Sequence, residues 1–350
     1  MLENLVCPRD HARLEHAAGH LTCAQGHRYP VVDGIPVMLL EEAPATLWVA
    51  TASLARAIAH VAAPDPADLD AEGFPFADTL GIDADERDAL RRLPRFPVDP
   101  VVQMSVGKTC GRLYDPVIGR LERYPIPELR LPPAAGNLLL DIGCNWGRWS
   151  VAAARLGYDV VGIDPSLGAV MTARRIFAQL GLQGRFVVAD CRFLPFARAT
   201  FDAGFCYGVL QHIDKDKALT SVAELGRVLR DGGTALVQMP HLYGLRSLYN
   251  YARRGFRPPQ KFDDIRYWKL DEMRRAFTAR IGPARLSVDA FFGLGIQAND
   301  VDLLPWKYRL VVRSSTALRH LSRILPWMRR FADSIYVTAR REPAGDAAAG

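Results

Sequence analysis

The hydrophobic residues in the middle of the chain fall in short unbroken runs, and each run ends in an aspartate. Leu138 to Asp141, Val160 to Asp164 and Phe186 to Asp190 are three such runs. Apolar runs without polar alternation are typical of parallel strands that are buried on both faces. We therefore predict three consecutive strands of a parallel sheet, connected by helices.

A glycine-bearing turn, Gly143-Cys144-Asn145-Trp146-Gly147, follows the first run and leads into a predicted helix around Ala152 to Leu156. Gly143 and Gly147 have no side chain, so backbone N–H groups at the helix start can approach a ligand closely. Asp164, after the second run, has about the spacing at which an acidic residue accepts hydrogen bonds from ribose hydroxyls. The pattern predicts a site for a nucleotide-type ligand.

The turn and its strand resemble the first motif of class I S-adenosylmethionine-dependent methyltransferases, acid-x-Gly-x-Gly-x-Gly. Asn145 replaces the middle glycine, and asparagine is the side chain that best tolerates a left-handed backbone. Residues 201–213 resemble the family's fourth-strand motif, and residues 225–240 resemble its helix, Gly-Gly turn and fifth strand. The resemblance implies an α/β, Rossmann-like sheet of seven strands. A nicotinamide-binding fold is disfavoured because it normally has Gly-x-Gly-x-x-Gly spacing.

The resemblance implies S-adenosylmethionine as the cofactor. It puts the turn near the methionine moiety, Asp164 near the ribose, and Asp190 with Cys191 near the adenine. The upstream residues Tyr114 and Tyr124 are further candidates, with packing under the sheet as the alternative. The cofactor-binding residues that the resemblance implies are Asp141, Gly143, Cys144, Asn145, Gly147, Asp164, Pro165, Asp190, Cys191, Tyr207 and Gln211.

Residues 1–42 are predicted to form a small module that resembles the zinc ribbon of bacterial large-subunit rRNA guanine methyltransferases. The ribbon spacing, Cys-x2-Cys-x12-Cys-x3-His, falls here on Cys7, Asp10, Cys23 and His27. A carboxylate can ligate zinc, so one alternative is a zinc site and the other is a ribbon without metal. The module also resembles small activator proteins that bind methyltransferase subunits, which makes a protein partner or a dimer through it a further alternative.

Prolines and changes in composition divide the remaining chain into segments. Residues 43–103 are predicted as a helical and linker segment, with a helix over 43–62, an acidic linker over 65–88 and a short charged helix that ends at Leu93-Pro94. The methyltransferase domain is predicted over 104–341, and 342–350 form a tail that is expected to be disordered. Residues 241–268 and 293–333 are predicted insertions that cover the substrate, the second being a lid between strands six and seven.

Composition limits the class of protein. At 350 residues and 49% hydrophobic, the chain can bury one α/β core and still carry appendages. No basic start with an apolar stretch and no membrane-span-length apolar run is found, so we expect a cytoplasmic protein. The six cysteines lack the dense spacing of a disulfide framework and are expected to be reduced.

The basic charge is concentrated in the carboxyl third, where residues 241–341 hold 20 Lys or Arg against 8 Asp or Glu. Within the lid, Trp306, Tyr308 and Trp327 stand beside several arginines, which suits an enclosed pocket with a charged rim. A helix packed on the domain with a solvated outer side is the simplest reading of residues 318–325, and contact with a membrane surface is a less favoured alternative.

These observations predict an enzyme that transfers a methyl group from S-adenosylmethionine to a small-molecule or sugar-containing metabolite. The acceptor is expected to be anionic, and a hydroxyl acceptor would need a base. His212 and His241 follow strands four and five and are the candidates, with capping or structural roles as the alternative. A methyltransferase acting on RNA bases and a non-catalytic, cofactor-fold protein-binding partner stay open as other functions.

Overall fold

The computed structural model describes residues 4–17, 19–70, 73–92, 97–257 and 264–343. A small antiparallel sheet at the amino terminus contains four strands, β1 to β4, in sequential order: Leu14–Ala17, His20–Cys23, Arg28–Val32 and Ile35–Pro36. A larger sheet contains strands β5 to β11: Leu138–Ile142, Asp159–Asp164, Gly184–Val188, Phe201–Cys206, Leu229–Pro240, Ala284–Ala290 and Ser334–Arg340.

The larger sheet has the strand order β10-β11-β9-β8-β5-β6-β7. Strand β11 runs antiparallel to both of its neighbours, and the other neighbouring pairs are parallel. The predicted α/β fold with a seven-stranded sheet is therefore confirmed. The carboxyl ends of β5 to β9 share one edge, which is where open α/β sheets bind their ligands.

Helices α1 to α10 in the described ranges are Trp48–Ala62, Pro66–Asp70, Ala84–Arg91, Pro100–Cys110, Arg148–Arg155, Leu167–Gln179, Lys215–Val228, Leu245–Arg253, Leu270–Thr278 and Trp306–Ile324. Short 3₁₀ helices cover Ala77–Thr79, Arg112–Val117, Leu210–His212, Ala298–Leu303 and Pro326–Phe331. Within the described ranges, none of the helices has both the length and the apolar character to cross a membrane.

Two large apolar clusters hold the helices against the sheet. Residues of α7 and α9 pack with the central strands in one cluster, which also contains Leu21 and Tyr29 of the small sheet. Residues of α1, α4 and α6 form the second cluster, together with Phe186 and Val188 of β7. Both faces of the sheet are covered at its centre, since Leu139 and Leu140 of β5 are fully buried.

The small sheet covers the outer edge of the large one. Strand β7 is an edge strand of the large sheet, and Met38 N donates to its Val188 carbonyl at 2.7 Å. Val6 N donates to Pro195 O and Ala197 N donates to Asn4 O, both at 3.0 Å. An uncovered edge strand exposes unpaired backbone groups. The amino-terminal module supplies a hydrogen-bond partner to β7 and shares the apolar core of the large sheet.

Residues 65–88, which composition predicts to be a linker, instead contain α2, a 3₁₀ helix and the start of α3. They pack on the start of α6, where Thr79 Oγ1 accepts from Gly168 N at 2.8 Å. Ser53 Oγ of α1 accepts from Leu167 N at 2.9 Å. The buried start of α6 needs acceptors for its N–H groups, and this segment supplies them. The predicted helix end at residues 93–94 and the tail 344–350 lie outside the described residues.

Candidate active site

The turn after β5 has the backbone conformation that its composition predicts. Gly143, Asn145 and Gly147 have φ values of 75°, 48° and 89°, all in the left-handed region. The Asn145 side chain also accepts a hydrogen bond from Trp146 N at 2.8 Å. Asparagine therefore occupies the middle position of the turn without loss of the bend that a glycine would allow.

Backbone hydrogen bonds fix the turn to the end of β6. Gly143 N and Cys144 N donate to Ile163 O at 2.8 and 2.9 Å. Asn145 N donates to Asp164 Oδ2 at 3.1 Å, and Ser166 N donates to Asp164 Oδ1 at 2.9 Å. The carboxylate that the resemblance assigns to the ribose is thus held beside the turn that it assigns to the methionine moiety, and Pro165 follows it directly.

Helix α5 begins at the turn without a side-chain cap, since its N-cap residue is Gly147. Asp141 is buried and accepts from Ser150 Oγ at 2.6 Å, which joins the end of β5 to the first turn of α5. By contrast, α6 is capped by Ser166, whose Oγ accepts from Ala169 N. The positive end of α5 is therefore the one that suits an anionic group of a ligand.

The pKa values of two acids in this region, Asp164 and Asp141, are raised above the usual range of an aspartate. Burial raises the pKa of Asp164 to about 6. Burial, together with the nearby Asp164 charge, raises the pKa of Asp141 to about 7, although the Ser150 hydroxyl opposes the shift. Hydroxyl groups that donate to the ionised Asp164 would favour its charged form. The site therefore fits a ribose, and it fits S-adenosylmethionine as the group that the fold implies.

Asp190 at the end of β7 is held by a buried arginine. Arg192 Nη2 and Nε lie 2.6 and 3.0 Å from its carboxylate oxygens, and Arg192 also donates to Pro44 O. Beside Asp190, a cavity of about 210 Å³ opens between α1 and residues 39–45, with mostly aliphatic walls. An aliphatic cavity beside an acid suits a flat heteroaromatic ring.

Cys191 lies in the same region, and its Sγ is 3.2 Å from Ser221 Oγ. Burial raises the pKa of Cys191 to about 12, so the thiol stays protonated at neutral pH. Burial likewise raises the pKa of Cys144 and of Cys206. Because the thiolate is the reactive form, these three cysteines fit a buried packing role better than a nucleophilic one.

A polar cluster at the ends of β8, β9 and β10 was not foreseen. Tyr207 and Ser334 each donate to Asp289 Oδ2 at 2.7 Å. Gln238 donates to Ser334 Oγ at 2.9 Å and accepts from Gly208 N at 3.0 Å. Tyr207, predicted beside the cofactor, belongs to this cluster and packs against the Trp149 ring in a tilted arrangement. The available signal was Gln238, a polar residue in the apolar carboxyl-terminal part of β9.

The two candidate histidines differ in which nitrogen is engaged. The Gln211 side-chain nitrogen lies 3.1 Å from His212 Nε2, which makes that nitrogen an acceptor. His241 is buried, and its Nδ1 lies 3.0 Å from Ala332 O, so Nδ1 carries the proton and Nε2 is the basic nitrogen. Burial lowers the pKa of His241, which keeps it neutral. Of the two, His241 is the one prepared to accept a proton.

A buried ion pair connects the start of α5 to the insertion after β10. Arg148 Nη2 lies 2.5 Å from Asp300 Oδ2, and both side chains are almost completely buried. Tyr114 donates to the same oxygen at 2.5 Å, and Arg148 Nε donates to Pro125 O at 2.8 Å. Tyr114, which sequence suggests as a cofactor contact, instead belongs to this network. The other candidate, Tyr124, donates to Gln179.

The four residues of the amino-terminal ribbon pattern come together in space. His27 Nδ1 lies 3.4 Å from Cys7 Sγ, 3.3 Å from Cys23 Sγ and 3.2 Å from Asp10 Oδ2. Cys23 Sγ lies 3.7 Å from Asp10 Oδ2, and all four donor atoms are within 4.8 Å of one another. Tetrahedral zinc bonds of about 2.0 to 2.3 Å require donor separations of about 3.3 to 3.8 Å. The four individual distances lie at or near that range, so this donor set fits the ion.

Comparison with known proteins identifies the central region. Residues 139–233 match the family described as methyltransferase domain. The O-methyltransferase cnsE of Penicillium expansum is 36% identical over 114 residues, which cover 31% of this chain and 40% of that protein. The ubiquinone biosynthesis O-methyltransferase of Azorhizobium caulinodans is 32% identical over 103 residues, which cover 29% of this chain and 37% of that protein. The chain thus spans less than half the length of either relative.

Among solved structures, a SAM-dependent methyltransferase of Methanosarcina mazei is 18% identical with a TM-score of 0.43, covering 61% of this chain and 99% of that one. The family match, the strand order and the turn after β5 define the class of protein. The chain contains a class I S-adenosylmethionine-dependent methyltransferase domain, as its motifs predict.

The Arg148–Asp300 ion pair generates a stability prediction. Asp300→Ala leaves the Arg148 charge buried without its carboxylate, and this should lower the free energy of unfolding by about 3–5 kcal/mol in urea denaturation. The matched control is Asp302→Ala, which removes the exposed partner of Arg123 from the same 3₁₀ helix and should cost less than about 1 kcal/mol. Equal losses in the two variants would show that the buried pair has no special weight.

Proposed function

We propose that the protein transfers the methyl group of S-adenosylmethionine to a hydroxyl group of a small, anionic molecule. The observation that carries the proposal is the hydrogen bond from Asn145 N to Asp164. It joins the left-handed turn to a carboxylate at the edge where an open α/β sheet binds its ligand. When bound, the cofactor supplies an electrophilic methyl group, and the protein contributes mainly by alignment of that group with the acceptor.

The cofactor part of the proposal predicts a pH effect. Protonation of Asp164 removes a charged acceptor for the ribose hydroxyls, so affinity should fall as the pH drops through about 6, the pKa to which burial raises this carboxyl. At pH 7.5, Asp164→Ala should weaken S-adenosylmethionine at least about tenfold. Isothermal titration calorimetry at pH 5.5 and 7.5 measures both effects.

Asp164→Asn is the matched control because it keeps the shape of the side chain and cannot titrate. Asp141, whose pKa burial raises to about 7, remains in that variant and reports any pH effect of its own. If Asp164→Asn retains the full pH dependence of the wild type, the ribose is not bound by Asp164. Unchanged affinity in a folded Asp164→Ala variant would reject the cofactor site.

The hydroxyl acceptor is supported by His241. Its Nε2 is the basic nitrogen, and it follows β9 at the same edge of the sheet as Asp164. A neutral histidine within hydrogen-bond reach can take the hydroxyl proton as the methyl group is transferred. Relatives named as O-methyltransferases are consistent with this chemistry.

The anionic character of the acceptor is supported by two arginines near the polar cluster. Arg130 Nη2 lies 3.2 Å from Asp289 Oδ1. Burial, together with the nearby Arg130 charge, lowers the pKa of Arg319 in α10. The Nε atoms of both arginines are buried without a hydrogen-bond partner among the described residues. A carboxylate or phosphate between the two guanidinium groups would offset their repulsion.

The acceptor part of the proposal is tested by a mass-shift assay over small hydroxyl compounds, each supplied with and without a carboxylate or phosphate group. We expect methylation of an anionic member of the panel. For that acceptor His241→Ala should lower kcat by roughly 10²–10⁴-fold, because proton removal loses its base. The affinity for S-adenosylmethionine should be unchanged, since His241 is not one of the residues assigned to the cofactor.

His212→Ala is the control and should lower kcat far less. The pH profile of kcat adds a second test, because the loss of a histidine with only a structural role would not change that profile. Because burial lowers the pKa of His241, kcat at saturating S-adenosylmethionine should persist below pH 6.5 in the wild type, and the acidic limb of that kcat profile should disappear in His241→Ala. Methyl transfer to cellular RNA instead of any compound in the panel would reject the small-molecule acceptor.

We also propose that Cys7, Asp10, Cys23 and His27 hold a structural zinc ion. The donor separations support it, and so does the chemistry of two thiols, an imidazole and a carboxylate. All four positions are filled by protein atoms, which is typical of structural sites. The ion would stabilise the module that covers β7.

The zinc proposal predicts one zinc ion per chain in protein purified without added metal. Cys23→Ser should lose the ion because a thiolate ligand is gone, and the melting temperature should fall with it. Cys191→Ser is the matched control and should keep the metal. Elemental analysis decides between the alternatives, and metal-free wild type would mean that the ribbon folds through its apolar contacts alone.

A further inference from the structure

The large exposed apolar side chains are concentrated in two segments of the chain. Thirteen such side chains are exposed in the described ranges, and eleven of them lie within residues 243–256 and 306–331. A single exposed apolar side chain is ordinary, but monomeric proteins rarely expose contiguous apolar patches. The clustering therefore requires a physical explanation.

Helix α10 has an apolar stripe on its outer face. Trp306, Leu310, Leu321 and Ile324 are all exposed, Trp306 by 79% and Ile324 by 77%. Their spacing puts them on one side of a helix. The opposite side already packs on the domain through Val312, and the stripe has no partner among the described residues. Among the described residues, Trp306 and Trp327 do not line the enclosed pocket that the sequence suggests, since Trp327 is also 58% exposed.

Helix α8 continues the same kind of surface. Leu245, Leu248 and Tyr249 are exposed on one face. The two segments meet where α8 begins, because Ser247 N donates to Asp333 Oδ1 at 2.7 Å and a Cβ on Gly244 would lie 2.7 Å from Ala332 O. We call residues 243–257 and 306–331 together the basic-apolar surface.

The charge of this surface has one sign. Residues 303–332 contain seven Lys or Arg and no Asp or Glu, and residues 241–257 contain four Arg and again no acid. Arg313, Arg323 and Arg330 are exposed and form no ion pair with any described residue. An extended array of exposed cations around apolar side chains attracts a partner that is both anionic and apolar.

We infer that the basic-apolar surface binds the surface of an anionic phospholipid bilayer. Amphipathic helices with arginine beside tryptophan, phenylalanine and leucine lie in the interface with their apolar side chains among the acyl chains. Tryptophan and tyrosine favour the headgroup level, and each nearby basic residue adds attraction to anionic lipid. The inference goes beyond the methyltransferase activity and does not depend on it.

Two other occupants fit the surface less well. A second copy of the chain would bring two arrays of like charge together, and this repulsion disfavours a symmetric dimer. RNA would satisfy the arginines and stack on the tryptophans. It would give no partner to Leu310, Leu321 and Ile324, whereas acyl chains would.

The experiment is co-sedimentation of the full chain with vesicles of phosphatidylcholine alone or with about 30 mol% phosphatidylglycerol, which supplies the anionic headgroups. We expect binding that needs the anionic lipid, with a blue shift of tryptophan fluorescence and quenching by lipids brominated in the acyl chain. Trp306→Ser/Leu310→Ser should weaken partitioning at least about tenfold, because apolar area is no longer buried.

Arg313→Gln/Arg323→Gln/Arg330→Gln should weaken partitioning by roughly a hundredfold, since each charge contributes to the attraction. Its matched control removes three exposed arginines elsewhere, Arg155→Gln/Arg185→Gln/Arg198→Gln, and should bind nearly as the wild type. Circular dichroism checks that each variant is folded.

Three results would overturn the inference. One is the absence of vesicle binding by the wild type. Another is a dimer in sedimentation velocity that Trp306→Ser/Leu310→Ser converts to monomer, which would assign the stripe to a second copy. The third is binding without quenching by brominated lipid together with tighter, salt-sensitive binding to cellular RNA, which would assign the surface to nucleic acid.

Discussion

The buried pair of Arg148 and Asp300 is the interaction on which the arrangement of the site depends. Two charges taken out of water are stable only when they are paired with good geometry and further hydrogen bonds, and Tyr114 and Pro125 supply those bonds. Arg148 is the first residue of α5, directly after the turn, and Asp300 lies in the insertion after β10. A single contact therefore determines where the upstream segment, the turn and the insertion stand relative to one another.

Much of the fold could be predicted because its signals are local. The apolar runs ending in Asp141, Asp164 and Asp190 predict β5, β6 and β7, and the left-handed conformation of Asn145 follows from the residue itself. The partner of Arg148 could not be predicted, since it lies 152 positions away and nothing local distinguishes it from other acids. The cluster around Asp289 has a local signal in Gln238, but its membership could not be predicted, because its members come from four different strands or their ends.

Composition misled the prediction where a polar surface hides a structural role. Residues 65–88 are acidic because their outer side is solvated, yet Thr79 supplies an acceptor at the start of α6. The amino-terminal module is similar in this respect. Its short strands predict a separate ribbon, whereas Met38 pairs with Val188 and covers the edge of the large sheet. Backbone groups that need partners explain both departures, and such needs appear only once the sheet is assembled.

The proposed base and the basic-apolar surface meet at one point of the chain. His241 Nδ1 lies beside Ala332 O, and Ala332 follows directly after the 3₁₀ helix that exposes Trp327 and Phe331. A displacement of that helix would move the carbonyl that selects the tautomer of His241. If the surface lies on a bilayer, the edge of the sheet that carries His241 and Asp289 lies close to the headgroups. An amphiphilic acceptor with an anionic group would then reach His241 from the membrane side, because His241 and the 3₁₀ helix that exposes Trp327 and Phe331 meet at Ala332.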